Sequence, residues 1–309
     1  MLEEFTIDSR DMKTKLHAYQ WTPKGEVKAV LIMVHGMAEH MMRYAEFAEY
    51  LNAKGIVAAG IDLLGHGKSV RDKEDFGYFC ERDAATVVVR DVHRLKKTVQ
   101  EKYPGIPVYL LGHSMGSFIA RCYIERYGTG IGGVILLGGN EQPRSAAVFG
   151  RVWISLMAKI KGWRYWSPMI TKKVFGSYLD RVGNPSSRND WIVKRREAIE
   201  TYEKDPLSGF VFTLNGYDAL FTLTLRAGDP KETKKIPKDL KIYIMSGSED
   251  PVGEYGAGVK RMADLYRGLG IRSVKMELIE GDRHELHHEE DRFETFEKVA
   301  DFVTGKERE

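Results

Sequence analysis

Gly112-His113-Ser114-Met115-Gly116 follows the apolar run Val108-Tyr109-Leu110-Leu111 without a gap and leads directly into a helical pattern over Met115–Tyr127. A buried strand that becomes a helix within five residues needs a sharp bend, and a glycine on each side lets the backbone pass where a Cβ would collide. A serine at the apex of such a bend is strained and presented outward. The helix's first amides and its dipole then favour negative charge developing beside it. Ser114 is therefore a candidate nucleophile, and the strand–turn–helix setting gives the five-residue pattern its specificity.

Outward from this bend, short apolar runs alternate with longer helical patterns. Ala29–Val34, Ile56–Asp62, Val108–Leu111, Gly132–Leu137, Ile242–Met245 and Val274–Ile279 read as strands. Helices are expected around Tyr44–Lys54, Asp83–Lys102, Met115–Tyr127, Gly258–Gly268 and Arg292–Thr304, with Val88, Val92, Leu95 and Val99 at helical spacing in the second. Strands apolar on both faces and separated by helices predict a mostly parallel sheet covered on both sides, so the fold class is α/β. Glu4–Asp8 and Lys15–Trp21 alternate more strictly, as an antiparallel edge hairpin does.

The rhythm breaks between Asn140 and about Pro237. Irregular helical patterns replace the strand–helix alternation, and the segment holds four of the five tryptophans, Trp153, Trp163, Trp166 and Trp191. Residues 141–240 carry 18 Lys and Arg against 11 Asp and Glu, a local charge of +7, which leaves −4 for the rest of a chain of net charge +3. This reads as a helical insertion, giving core residues 1–139, an insertion over 140–236 and core again over 237–309.

The 309 residues are 43% apolar, enough for a large folded core, and the near-neutral charge disfavours a polybasic nucleic-acid protein. The basic runs Lys194-Arg195-Arg196 and Lys231–Lys238 lack a stacked-aromatic motif or a recognition-helix pattern and read as solvated faces, so no nucleic-acid partner is expected. Two cysteines, Cys80 and Cys122, cannot form a disulfide framework and fit a reducing compartment. With no apolar leader at the acidic N-terminus and no bilayer-length apolar run, a cytoplasmic protein is expected.

A serine hydroxyl needs a base to take its proton, and the base needs an orienting carboxylate, here in the chain order Ser, acid, His. Ile242–Met245 runs into Ser246-Gly247-Ser248-Glu249-Asp250-Pro251, and the next strand runs into Gly281-Asp282-Arg283-His284. Functional groups collect at these strand ends, which selects Asp250 as orienting acid and His284 as base. Glu249 adjoins the first, and His287 and His288 follow the second. The oxyanion needs backbone donors, expected from Met115, after the serine, and from Met37, in the loop His35-Gly36-Met37 after the first buried strand.

His35-Gly36-Met37-Ala38-Glu39-His40 with Arg43-Tyr44, Asp62-Leu63-Leu64-Gly65-His66-Gly67-Lys68-Ser69 and Gly112–Gly116 together resemble the monoacylglycerol lipase and lysophospholipase family of α/β-hydrolases, also labelled serine aminopeptidase-like. Ser246–Pro251 and Gly281-x-x-His284-x-Leu286 complete the pattern. The resemblance implies an α/β-hydrolase fold, a Ser114–Asp250–His284 triad, Met37 and Met115 as oxyanion donors, and residues 140–236 as a cap over an acyl pocket. It also implies a carboxylic ester hydrolase acting through an acyl-enzyme on single-chain lipid esters, with no metal or organic cofactor. His113, Trp153, Met157, Phe210, Phe212 and Phe221 are candidate substrate contacts. A small-ester or aryl-ester carboxylesterase is the nearest alternative, followed by an aminopeptidase and a non-enzymatic binding protein of the same fold. The basic, aromatic insertion, with Trp163, Tyr165 and Trp166, is expected to meet anionic lipid surfaces or a fatty-acid product. Oligomeric state is not legible.

Two further patterns compete. His284-Glu285-Leu286-His287-His288 matches the H-E-x-x-H zinc signature, which requires a helix carrying both histidines on one face. Gly65–Ser69 ends like a phosphate loop, but Asp62 stands where its first glycine belongs.

Overall fold

A computed structural model describes residues 1–306. The strands are β1 (Leu2–Asp8), β2 (Lys15–Trp21), β3 (Ala29–Val34), β4 (Ile56–Ile61), β5 (Val108–His113), β6 (Gly133–Leu137), β7 (Lys241–Gly247) and β8 (Ser273–Ile279). They form one eight-stranded sheet in the order β1-β2-β4-β3-β5-β6-β7-β8. The β1–β2 and β2–β4 pairs are antiparallel and every other pair is parallel. Connecting helices are α1 (Ala45–Ala53), α2 (Ala84–Lys102), α3 (Met115–Tyr127), α9 (Ala257–Gly268) and α10 (Arg292–Thr304).

Alternate residues of the central strands feed two cores, one on each face of the sheet. Leu31, Leu111, Ile135 and Met245 pack with Phe47 and Leu51 of α1 and with Phe296 and Val299 of α10. Val30, Leu110, Val134 and Ile244 point the other way, onto Val88, Val92, Leu95 and Val99 of α2, Ile119 of α3 and Met262 of α9. The period of two thus explains why each central strand is apolar throughout.

Between β6 and β7 the chain leaves the sheet for α4 (Arg144–Lys161), α5 (Pro168–Phe175), α6 (Arg196–Lys204), α7 (Leu214–Ala227) and α8 (Pro230–Thr233). Ser167 accepts from the Ile170 amide ahead of Pro168, and Thr213 accepts from the Gly216 amide, so α5 and α7 start where a capping hydroxyl meets the first turn. α4 lies on α7 at Gly150, where a Cβ would stand 2.9 Å from the Phe221 ring. The insertion is pinned to α3 by fully buried Arg121. That side chain donates to Tyr266, to the carbonyls of Asn140 and Ala227, and to Glu141. The tryptophans divide: Trp163 and Trp166 are exposed, whereas Trp153 and Trp191 are half-buried. No helix among the described residues is long and apolar enough to cross a membrane.

The tightest packing lies at the bend after β5. A Cβ on Gly112 would overlap the Gly116 carbonyl and stand 2.8 Å from Ala120 Cβ; one on Gly116 would overlap the carbonyls of Val34 and His35. The start of α3 therefore touches the end of β3 backbone to backbone. Gly116→Ala is expected to cost about 1–3 kcal/mol as the helix is pushed off the strand, read as a lower urea midpoint. Gly25→Ala, with open space around it and an ordinary φ, is expected to be near neutral.

Candidate active site

The geometry begins with strain. Ser114 has φ 53° and ψ −118°, a conformation that L residues rarely hold, and its amide donates to the Leu137 carbonyl at 2.9 Å. That bond ties the serine to the end of β6. The next residue there, Gly138, has φ +56°, and a Cβ on it would stand 3.0 Å from the His284 ring. Gly138 thus lies against the His284 ring, one residue beyond the carbonyl that holds Ser114.

Asp250 and His284 come from the loops after β7 and β8. Gly247 allows those loops to meet, since a side chain there would overlap the carbonyls of Asp282 and Arg283. The Ser248 amide donates to Ile279 and the Glu249 amide to Asp282, both at 2.8 Å, stitching the loops together. Asp250 is fully buried and accepts from Ser246 Oγ (2.9 Å), the Val252 amide (2.8 Å) and His284 Nδ1 (3.0 Å). A carboxylate only accepts, so Nδ1 carries the hydrogen and the Nε2 lone pair is left for a proton. Neighbouring Glu249 lies on the surface beside Lys194 Nζ at 3.0 Å and takes no part. Among the hydrogen bonds of the described residues, none joins Ser114 Oγ to His284 Nε2; such bonds tighten when substrate arrives.

Burial by itself would lower the His284 pKa. The charge and hydrogen bond of Asp250, helped by the charges of Glu285 and Glu39, outweigh it, and the imidazole is held above its ordinary value. The Trp191 ring lies 5.3 Å from the His284 ring, a contact from the insertion that strand-end reasoning has no means of finding.

The loop after β3 carries Met37, whose amide is one of the two expected as donors. His35 Nδ1 bonds the Gly36 carbonyl and its Nε2 accepts from the Leu63 amide, while the Gly36 amide donates to Glu39 and the Ala38 amide to His66 Nε2 at 3.3 Å. Between those two engaged amides, that of Met37 donates to no group among the described residues. Met115 is the first residue of α3, so its amide has no intrahelical acceptor. A Cβ on Gly36 would stand 3.2 Å from Ser114 Cβ, which places this loop against the serine.

Beneath the loop lies a buried polar cluster. Glu39 accepts from Tyr44 (2.9 Å), His113 Nδ1 (3.1 Å) and Arg43 (2.7 Å), and Arg43 forks onto Glu285 at 2.7 and 2.6 Å. Burial would raise the Glu39 carboxyl, but His113 and Arg43 hold it well below the usual range. His287 stacks on Tyr44 at 4.5 Å and meets His113 edge-on at 4.7 Å, and neither of its ring nitrogens has a partner among the described residues. Glu39, His113 and His287 lie within 4.8 Å of one another, yet the Arg43 guanidinium on the same carboxylate makes this a hydrogen-bond network rather than a cation cage.

Other sequence candidates fall elsewhere. His113 sits inside the network, 2% exposed, rather than on an acyl wall. Phe212 is fully buried between His66, Phe79 and Tyr217, so it is core and touches no water-sized space. Trp153, Met157, Phe210 and Phe221 are half-buried in or beside the inserted helices. The zinc-signature reading fails because His284 lies in a loop and only Leu286–His288 form a single 3-10 turn. The Gly65–Ser69 turn is filled by Asp62, which accepts from the amides of Met41 and Lys68 at 2.8 Å.

Sheet order, flanking helices and a strained serine between β5 and α3 define the α/β-hydrolase class. The serine aminopeptidase S33 (Hydrolase_4) family matches residues 25–291. A Monkeypox virus monoglyceride lipase homolog is 39% identical over 286 residues, covering 89% of this chain and 88% of that protein. Monoglyceride lipase of Homo sapiens is 26% identical over 275 residues, covering 87% and 79%. Among solved structures, a highly thermostable carboxyl esterase from Bacillus coagulans in complex with glycerol superposes with TM-score 0.91 at 30% identity, covering 98% of each chain. The chain belongs to the S33 family of α/β-hydrolases and is a carboxylic ester hydrolase.

The raised His284 pKa makes a signed prediction. In the wild type the ring is expected to lose its proton above the ordinary histidine value of about 6.5. In Asp250→Asn only the smaller pull of the Glu285 and Glu39 charges opposes burial, and the ring is expected to titrate lower than in the wild type. NMR of the His284 Cε1 proton reads both; equal values would show that Asp250 does not set the charge.

Proposed function

We propose that Ser114 attacks an ester carbonyl while His284 takes its proton, with Asp250 fixing the imidazole tautomer and favouring the imidazolium. The amides of Met37 and Met115 hold the oxyanion, each worth about 10²–10³ in rate by comparison with similar donors. His284 returns the proton to the leaving alcohol, then activates water to release the acid from the acyl-enzyme. The observation that carries this reading is the buried Asp250–His284 pair, whose ring packs on Gly138, next to the Leu137 carbonyl that holds a serine at φ 53°.

For substrate, we propose single-chain lipid esters of the monoacylglycerol or lysophospholipid type. Two features support a lipid. The relatives include a monoglyceride lipase and a monoglyceride lipase homolog. The exposed face of α4 is apolar: Val148, Phe149, Val152, Leu156 and Ile160 are 49–82% exposed.

Lys159, Lys161, Lys172 and Lys173 are exposed on α4 and α5, and each lysine near an anionic bilayer is worth about 1 kcal/mol. This is the pattern of a helix lying on a lipid surface, so we assign the insertion as a cap that meets the substrate's membrane and leave residues 140–236 as its extent. Cys80 and Cys122, both buried and unpaired, fit the reducing cytoplasm.

A small-ester carboxylesterase is the second reading, favoured by the likeness to the Bacillus coagulans enzyme. The two are separated by hydrolysis of p-nitrophenyl esters from about two to sixteen carbons, alongside monoacylglycerol in vesicles. Turnover is expected to peak at medium or long chains, to rise with anionic lipid and fall with salt, and to drop at least about 10⁴-fold in Ser114→Ala. A peak at acetate with indifference to lipid charge would favour the carboxylesterase; activity surviving in Ser114→Ala would refute the nucleophile.

A further inference from the structure

Ala38, the residue after the proposed Met37 donor, is in the left-handed region at φ +54° although it carries a Cβ. Such a conformation persists only where neighbours fix it from outside. On one side the Ala38 amide is bound to His66 Nε2. On the other, the Ala38 carbonyl accepts from the Gly209 amide at 2.9 Å and from the Tyr202 hydroxyl at 3.4 Å, both in the insertion.

Two further contacts join the same pieces. His40 Nε2 meets Asp205 Oδ2 at 2.7 Å, and the Arg43 guanidinium lies 4.8 Å from the centre of the Tyr202 ring. Asp205 also shapes the turn that delivers Gly209, accepting from the Leu207 amide at 3.0 Å and from Ser208 Oγ at 2.6 Å. The other ring nitrogen of His40, Nδ1, is buried without a partner among the described residues, so Asp205 alone orients the ring. Across only eight residues, Gly36–Arg43, the loop after β3 thus receives four contacts from Tyr202–Gly209.

We infer that the inserted segment Tyr202–Gly209 holds the oxyanion loop in its donating conformation, with Asp205 as the positioning residue acting through His40 and the Ala38 carbonyl. The inference rests on reading Met37 as an oxyanion donor. Its consequence is that the placement of the insertion over the sheet is read out chemically. When Tyr202–Gly209 is seated, the Met37 amide faces the serine; when it lifts, Ala38 loses the bonds to its carbonyl, relaxes to negative φ, and the amide turns away. An insertion seated by substrate would then switch on transition-state binding without touching Ser114, Asp250 or His284.

The test compares Asp205→Ala, Asp205→Asn, His40→Ala and the double alanine variant on a soluble p-nitrophenyl ester, with inhibition by an alkyl boronic acid, whose tetrahedral adduct on serine needs the same donors. Asp205→Ala is expected to lower kcat about 10–100-fold with KM within about twofold, because a donor misplaced by about 1 Å loses rate of that order. Its boronate inhibition constant is expected to rise by the same factor. Asp205→Asn, which keeps an acceptor for Leu207, is expected to recover most of the rate. The double variant is expected to be no worse than Asp205→Ala, as for residues acting in series. The acid limb of the pH profile is expected not to move, since His284 is untouched.

A lower melting temperature or a KM change with kcat and boronate affinity intact would overturn the inference, because a plain structural brace gives that result. Ser114→Ala is measured alongside: if it stays active, the reading of the site itself fails, whereas an inactive Ser114→Ala with an unimpaired Asp205→Ala refutes only the coupling.

Discussion

The first turn of α3 is packed on the end of β3 with no side chain between them, because Gly116 presents a bare backbone to the carbonyls of Val34 and His35. The rest of the site depends on that contact. It sets how close the serine at φ 53° comes to the loop after β3, so it decides which amides can face one point in space. It also sets the distance from the serine to the end of β6, where Gly138 leaves room for the His284 ring. Stability is spent on this strain, and the two cores of the doubly covered sheet are large enough to hold it.

Around this point polar groups are arranged in two layers. The upper one is Asp250, His284 and the free amides of Met37 and Met115, of which only the His284 ring changes charge in the proposed reaction. The lower one, Glu39, Arg43, Glu285, Tyr44 and His113, is saturated with short hydrogen bonds that remain fixed. Because Glu39 holds the Gly36 amide and Glu285 follows His284 directly, the lower layer links the loop after β3 to the loop after β8. The insertion touches both loops as well, through Tyr202 on Arg43, Gly209 on Ala38 and the Ile192 carbonyl on the Glu285 amide. The insertion therefore packs on both loops that carry the candidate site.

How much of this the sequence contains depends on range. The sheet, its helices and the hairpin at its edge follow from local periodicity, and their bounds in the structure fall within one or two residues of that reading. Ser114 is marked by five consecutive residues and their flanks. Asp250 and His284 are legible as strand-end residues and are selected on that ground; that Asp250 is buried and Glu249 exposed is a second ground the sequence does not contain, since adjacent acids differ only in which way they face. The Arg43–Glu285 pair spans 242 residues and leaves no local signal. Trp191 against His284, and Gly138 and Gly247 as gaps for neighbouring backbone, are hidden for the same reason. Phe212 misleads because an apolar residue in an insertion can face either the insertion's own core or a ligand, and periodicity does not distinguish them.

The central claim is that Ser114 is the activated nucleophile. A fluorophosphonate reacts with a serine only where a base has raised its nucleophilicity and donors stabilise the tetrahedral adduct, so it interrogates the whole constellation at once. Mass mapping of the labelled protein is predicted to find one adduct, on the peptide carrying Ser114, formed in the wild type and abolished in His284→Ala. An unlabelled protein, or label on another serine that persists without His284, would contradict the account.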